Sequence, residues 1–166
     1  EGFVIGTTHL FWNPAMEYIK LQQVRDFLWA AAAFAPGRDT VISGDLNSMP
    51  GSDVYRLVTD GQVSHTYSPV SDDNEATGAV KPSNAADVTV KFDHSLTLRS
   101  AYDPPPEFST LTDSFRGCLD HIFLSPNFWA EGTLDMYSEA VILENKSLPS
   151  VQYPSDHMSL IANIAL

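Results

Sequence analysis

Three short stretches of this chain place polar, ionisable or metal-capable side chains at the ends of strand-like runs: Thr8-His9, Gly44-Asp45-Leu46-Asn47-Ser48 and Ser155-Asp156-His157. A fourth, Leu119-Asp120-His121-Ile122-Phe123, sets an acid inside an otherwise apolar strand. Asp45 and Asn47 stand two apart, so in extended geometry both project to one side. A carboxylate beside a carboxamide suits phosphoryl transfer: the acid orients or deprotonates a water, and the amide binds phosphate or metal without adding charge. The competing reading is a plain turn, which Asp, Asn, Gly, Ser and Pro all favour. His157 needs a second group to fix its tautomer. Asp120 is the candidate, because an acid within a strand must find a partner if it is buried. The plainer alternatives are a solvent-facing strand start for Asp156-His157 and backbone donors for Asp120. His9, alone at a strand end, also reads as structural. His65, His94 and His121 have no supporting pattern, and Cys118 beside Gly117 reads as a small core residue. None of these residues matches a zinc-cluster spacing, a P-loop or a nucleophile elbow.

The elements that must position these residues follow from periodicity. Phe3 to Leu10 alternates and is β-branched, which predicts a strand. Asn13-Pro14 predicts a helix start, with Asn13 as cap and Pro14 in the first turn. Leu21, Val24, Leu28, Ala31 and Ala35 follow at three- and four-residue steps on one face, and Pro36-Gly37 ends the helix. Thr40 to Ser43 reads as a buried strand leading into Gly44-Asp45. Ser52 caps a second helix, Asp53 to Asp60, which Gly61 closes. Residues 66–94 are rich in Ser, Asp, Asn and Pro, carry the run Asp72-Asp73-Asn74-Glu75, and read as a long surface loop. Strands are expected at Leu96 to Tyr102, Leu119 to Ser125, Tyr137 to Leu143 and Met158 to Ile164. Helices between early strands and loops between late ones indicate a layered α/β sandwich with a mixed sheet, formed as one domain over residues 1–166.

Composition bounds the rest. The chain has 166 residues, 43% hydrophobic and 18% charged, enough for a core and too few charges for disorder. The longest apolar run, Phe27 to Ala35, falls short of the roughly 18 residues of a membrane span. The single cysteine permits no internal disulfide and favours an intracellular setting, with cytoplasm, nucleus and mitochondrion left open. The chain opens at Glu1 without a basic-then-apolar signal segment, so an excised piece is expected. With 9 Lys+Arg against 21 Asp+Glu, the net charge of -12 has the wrong sign for a nucleic-acid binder. Either the acids form a solvated face, or some hold a divalent metal and so turn a carboxylate cluster into a phosphate site.

Taken in order, "THLFWNP", "GDLNSMPGS", "GCLDHIFLSP" and "YPSDHMSL" resemble the endonuclease/exonuclease/phosphatase superfamily from His9 to Leu160. "IKLQQV", "LRSAYD" with "FRGCLDHIF", and "LPSVQYPSDH" resemble its deadenylase branch, which includes the CCR-NOT nuclease, Angel, nocturnin and the 2',5'-phosphodiesterase. The "GDLNSMPGSDVYRLVTDGQVS" stretch and the ending are most similar to the last of these. Inositol polyphosphate phosphatases usually carry an arginine where this chain has His121, which argues against a phosphoinositide. The resemblance implies a DNase I-like fold of mixed, mostly antiparallel sheets, present here as its C-terminal part. It implies that Asp45 activates water, that Asn47 holds the scissile phosphate, and that His157 stabilises charge while bonded to Asp120. It further implies that Asp156 sits with Asp45 at a Mg2+ (or Mn2+), that His9 contacts phosphate, and that Asn13 lines the substrate cleft unless capping claims it. An RNA or oligoadenylate substrate is implied. The family's first half carries an asparagine and a glutamate that ligate the magnesium, so this chain alone is expected to be inactive, with an uncovered sheet edge or face for the missing half. The alternatives are a non-catalytic binding module of the same fold, or an enzyme for a lipid headgroup, an inositol phosphate or abasic DNA.

Overall fold

A computed structural model describes residues 2–74, 78–144 and 146–166. Its centre is a four-stranded sheet in the order β1 (Val4–His9), β2 (Thr40–Asp45), β10 (Asp120–Leu124), β7 (Arg99–Ser100). β1 and β2 run parallel, as the intervening helix crossover requires, and the other pairings are antiparallel. The crossover is α1 (Glu17–Phe34), entered through a 3-10 turn at Pro14–Met16 that Asn13 caps by accepting from Ala15 N at 2.9 Å. Leu21, Val24, Leu28 and Ala31 are buried as the periodicity predicts, while Ala35 is only half-buried. α2 (Asp53–Asp60) has the expected Ser52 and Gly61 caps, the glycine in the left-handed region at φ 77°. Both helices pack on one face of the sheet, over Ile42 and Phe123, which are fully buried. The opposite face, with Val41, Leu124 and Phe128, is covered by the antiparallel pair of β11 (Trp129–Thr133) and β12 (Ala162–Ala165). The result is the layered, mostly antiparallel α/β sandwich that the sequence predicts.

Several predicted elements need correction. Residues 66–94 form no structureless loop. They continue β3 (Gln62–Tyr67) through a two-stranded ribbon, with β4 (Val70–Asn74) on β5 (Ala79–Pro82) and β3 on β6 (Val88–Asp93). The β4–β5 half is mostly polar and no alternation marks it, whereas Val88-Thr89-Val90-Lys91-Phe92-Asp93 does alternate and was an available strand signal; among the described residues of the ribbon, Val63, Val90 and Phe92 reach the core. Of the acidic run, Glu75 lies outside the described residues. Tyr137 to Leu143 is not a strand: Glu139–Leu143 is the short helix α3, which buries Ile142. A short apolar run does not distinguish the two by pattern. The strand expected at Leu96 to Tyr102 shrinks to β7, and the last strand begins at Ala162 rather than Met158. The pair β8 (Thr110–Leu111) and β9 (Arg116–Gly117), like β11, is too short or too polar to signal itself.

His94 joins α2 to the ribbon. Leu96 N donates to its Nδ1 at 3.2 Å, so Nε2 carries the proton and donates to Leu57 O at 2.8 Å. A protonated ring would set two donors against each other. Burial lowers the pKa of His94, against carbonyl bonds to Leu57 and Val58 that raise it. Because the folded pKa lies below the unfolded value of about 6.5, this contribution is full above that pH and is lost as pH falls through the folded value. A thermal melt is expected to fall from pH 7.5 to pH 5.5, and His94→Gln, which donates and accepts without titrating, is expected to flatten that slope. An unchanged slope in His94→Gln would remove His94 as its source.

Candidate active site

The site is built first by strand register. His9 lies opposite Asp45 in the parallel pair, and Asp120 lies opposite Asp45 in the antiparallel pair. Directly paired residues project to the same face, so three side chains from three strands form one row. Gly44 permits this approach: its φ is 142°, and a Cβ there would sit 1.9 Å from Thr8 O. The chain then turns sharply at Asn47, which has φ 46°. Asn47 N donates to Asp45 Oδ1 at 2.7 Å and its Nδ2 donates to Leu10 O at 2.9 Å. The turn reading of this segment holds, and the turn sets the directions of the Asp45 and Asn47 side chains.

His157 arrives from the other end of the sequence. Its Nδ1 lies 2.7 Å from Asp120 Oδ2, and its Nε2 lies 3.9 Å from Asp45 Oδ2. The carboxylate fixes the proton on Nδ1. Burial by itself lowers the pKa of His157, but the Asp120 bond and charge, with Asp45 and Asp156, outweigh it and the net shift is upward. The imidazole therefore holds its charge to higher pH than usual, as a group that stabilises phosphate negative charge should. Asp45 is pushed upward, by burial first and by Asp120 next, against the Asn47 backbone bond and both histidines. That makes it a better proton acceptor than an ordinary carboxylate.

The other expected residues divide. His9 Nε2 stands 3.4 Å from Asp45 Oδ2, with its side chain 72% exposed and open to a ligand. Asp156 is exposed, its backbone carbonyl takes the Thr110 hydroxyl at 2.6 Å, and it lies outside the metal-capable group. That group is Asp45, Asp120 and His157, whose ligand atoms lie within 4.8 Å of one another. Asn13 is buried and used at both ends of its amide, capping the turn and donating to Gly78 O at 3.0 Å, so capping wins over the cleft. Cys118 is inert: burial pushes its thiol up to about 11.

Two residues that sequence reasoning passed over support the row. Ser109, fully buried, donates to Asp120 Oδ2 at 2.6 Å and accepts from Leu119 N and Asp120 N. Lys20, 4% exposed, donates from Nζ to Asn47 O at 2.8 Å and so holds the strained turn in place. Burial lowers its pKa, against the charges of Glu17 and Asp45. A lysine on the apolar face of α1, one residue before Leu21, was the signal available. Beside Asn47 opens a cleft of about 420 Å3, flanked by Trp12 and Phe115 and floored by Lys20 and Ser48. Ser48 Oγ is buried there without a partner.

A carboxylate pair and an imidazole meet at the strand ends of a layered α/β sandwich, near a cleft lined by two aromatic side chains. Residues 2–157 match the Endonuclease/Exonuclease/phosphatase family, and the chain belongs to it. Its relatives lie in the deadenylase branch. The 2',5'-phosphodiesterase 12 of Mus musculus is 28% identical over 165 residues, covering 96% of this chain and 26% of that protein. The CCR4-Not complex 3'-5'-exoribonuclease subunit Ccr4 of Phaeosphaeria nodorum is 27% identical, covering 96% and 33%. Among solved structures, ANGEL2, a 2',3'-cyclic phosphatase, in complex with adenosine-2',3'-vanadate, superposes with TM-score 0.75 at 22% identity, covering 96% of this chain and 56% of that one. The human nocturnin catalytic domain gives 0.60 at 22% identity, covering 96% and 45%. The chain thus spans about a quarter to a third of these sequence relatives and about half of the solved domains.

Two outcomes follow. Asp120→Asn is expected to lower the His157 pKa in an NMR titration, and an unmoved midpoint would dissociate the pair. Lys20→Met is expected to destabilise the chain by about 1–3 kcal/mol, since the Asn47 carbonyl loses a charged donor, and to shift the Asn47 side-chain amide signals. Unshifted signals would mean that Lys20 does not position this turn.

Proposed function

We propose that the chain carries the phosphate-handling half of a metal-dependent phosphodiesterase that acts on RNA ends or oligoadenylate. The observation that supports this most is the row of His9, Asp45 and Asp120, closed by His157, with an aromatic cleft beginning two residues further along the chain at Asn47. Trp12 and Phe115, 46% and 41% exposed, offer faces on which a nucleobase stacks. An inositol or a lipid headgroup has no such use for them.

The donor set offers a hard divalent cation such as Mg2+ or Mn2+ two close carboxylates, Asp45 and Asp120, while His157, protonated and bonded to Asp120, would stand beside it as a charge and not as a ligand. The cation would supply positive charge at the phosphate. Asp45 orients a water and takes its proton. Asn47 and His9 hold the scissile phosphate, and His157, kept protonated by Asp120, faces the charge that develops in the transition state. Water attack on phosphorus cleaves the bond to the leaving oxygen, which departs with a proton. Asp156 contributes through its charge on His157.

β1 has a strand neighbour on one side only among the described residues, and Phe3 and Ile5 are 52% and 67% exposed. An open edge with apolar side chains is a place for further polypeptide. We take it to be the half that supplies the remaining metal ligands, without which activity is low. The test is metal-dependent AMP release from oligoadenylate, by this chain alone and after adding the first half of a relative. Release is expected on complementation and is expected to fall about 100- to 10,000-fold in Asp45→Ala or His157→Ala. A demonstrated assembly that releases nothing would overturn the reading.

A further inference from the structure

One residue past Asp120, β10 turns His121 to the opposite face of the sheet, where α2 covers it. The residue is 3% exposed, with its ring T-shaped to Tyr55 of α2 at 5.1 Å and tilted against Phe123 at 5.6 Å. A polar ring buried among aromatic neighbours needs a partner for its nitrogens. Nε2 lies 2.9 Å from Ser48 O, and a carbonyl only accepts, so Nε2 carries the proton and donates.

That bond ends on the turn that carries Asn47. Asn47 has φ 46°, a conformation that a non-glycine residue keeps only where its surroundings impose it. Three carbonyls around it are taken by three different parts of the fold. Asp45 O accepts from Leu10 N, just past β1, at 2.9 Å; Asn47 O accepts from Lys20 Nζ of α1 at 2.8 Å; Ser48 O accepts from His121 of β10. Ser48 is itself buried and its hydroxyl has no partner, so its own side chain does not fix it. The two side-chain anchors differ in stiffness. Lysine reaches its carbonyl on a flexible four-carbon stem, whereas the imidazole is a rigid ring packed against Tyr55 and Phe123.

We propose that His121 is a positioning residue for Asn47: its Nε2–H fixes the Ser48 end of the turn, and the turn sets the Asn47 amide and the Asn47 N–H that bonds Asp45 Oδ1. The consequence for the reaction rests on the phosphodiesterase reading, in which Asn47 holds the scissile phosphate. Two substitutions separate this role from simple packing. His121→Phe keeps an aromatic ring and removes the donor, and His121→Gln removes the ring and keeps a side-chain N–H donor. The test is amide hydrogen exchange of the intact chain, read by NMR at Asn47 and at Ile42 in the core of β2. In His121→Phe, exchange at Asn47 is expected to rise about tenfold with Ile42 unchanged, because a buried carbonyl has lost its donor, and His121→Gln is expected to restore the slow exchange. Slow exchange at Asn47 in His121→Phe, no rescue by His121→Gln, or equal rises at Asn47 and Ile42 would each overturn the proposal. The same variants are then compared in AMP release after complementation, where kcat/KM is expected to fall about tenfold in His121→Phe and to recover in His121→Gln. Unchanged release in His121→Phe despite faster exchange would overturn the part that concerns the reaction. An assembly whose parent chain releases nothing would remove the phosphodiesterase reading, while the exchange at Asn47 still decides what His121 holds.

Discussion

The antiparallel pairing of β10 with β2 places Asp120 directly opposite Asp45, and much of the site answers to the repulsion between those two half-buried carboxylates. Left to themselves, two such groups drive one another toward protonation. The Ser109 hydroxyl and the His157 ring are both bonded to Oδ2 of Asp120. Asp120 is thereby tied to two neighbours, while Asp45 keeps its Oδ2 open toward His9 and His157. The two acids thus stand in different surroundings, although both begin as the same residue type in the same sheet row. A cation held by this group would offset the remaining charge of a chain whose net charge is -12.

That arrangement depends on backbone features more than on side-chain packing. β1 approaches Gly44 so closely that a side chain there is excluded, and Asn47 occupies a left-handed conformation held by Asp45, Leu10 and Lys20. Strain of this kind persists where the surroundings over-determine it. Here the surroundings are the buried ends of α1 and β1, so the helix that looks like a simple crossover also fixes the catalytic turn through its one buried lysine.

Legibility in the sequence followed the same division. β1, β2, α1, α2 and β10 were readable because each has an apolar face with a clear period or a cap with distinct chemistry. The site residues were readable as strand-end acids, an amide and a histidine, and their order along the chain carried the family. What was not readable depends on contacts distant in sequence. Ser109 sits among ordinary residues and acquires its role only because β8 brings it to Asp120, and the β4–β5 half of the ribbon has too few apolar residues to mark a face. Asn13 shows the converse: one residue type supports both a cap and a ligand, and the ribbon carbonyl at Gly78 claims its second end.

The ribbon also changes what the acid-rich middle of the chain means. Read as composition, residues 66–94 are a solvated insertion. Folded, they continue the strand that carries His65 and form a wall whose inner side carries Tyr67 and Val80 and whose far end rests on Trp12. Glu17 lines the space beneath that wall, and Asp53 beside it is tied to His65 and Arg56, so the wall meets α1 through a local network of paired charges that composition alone does not show.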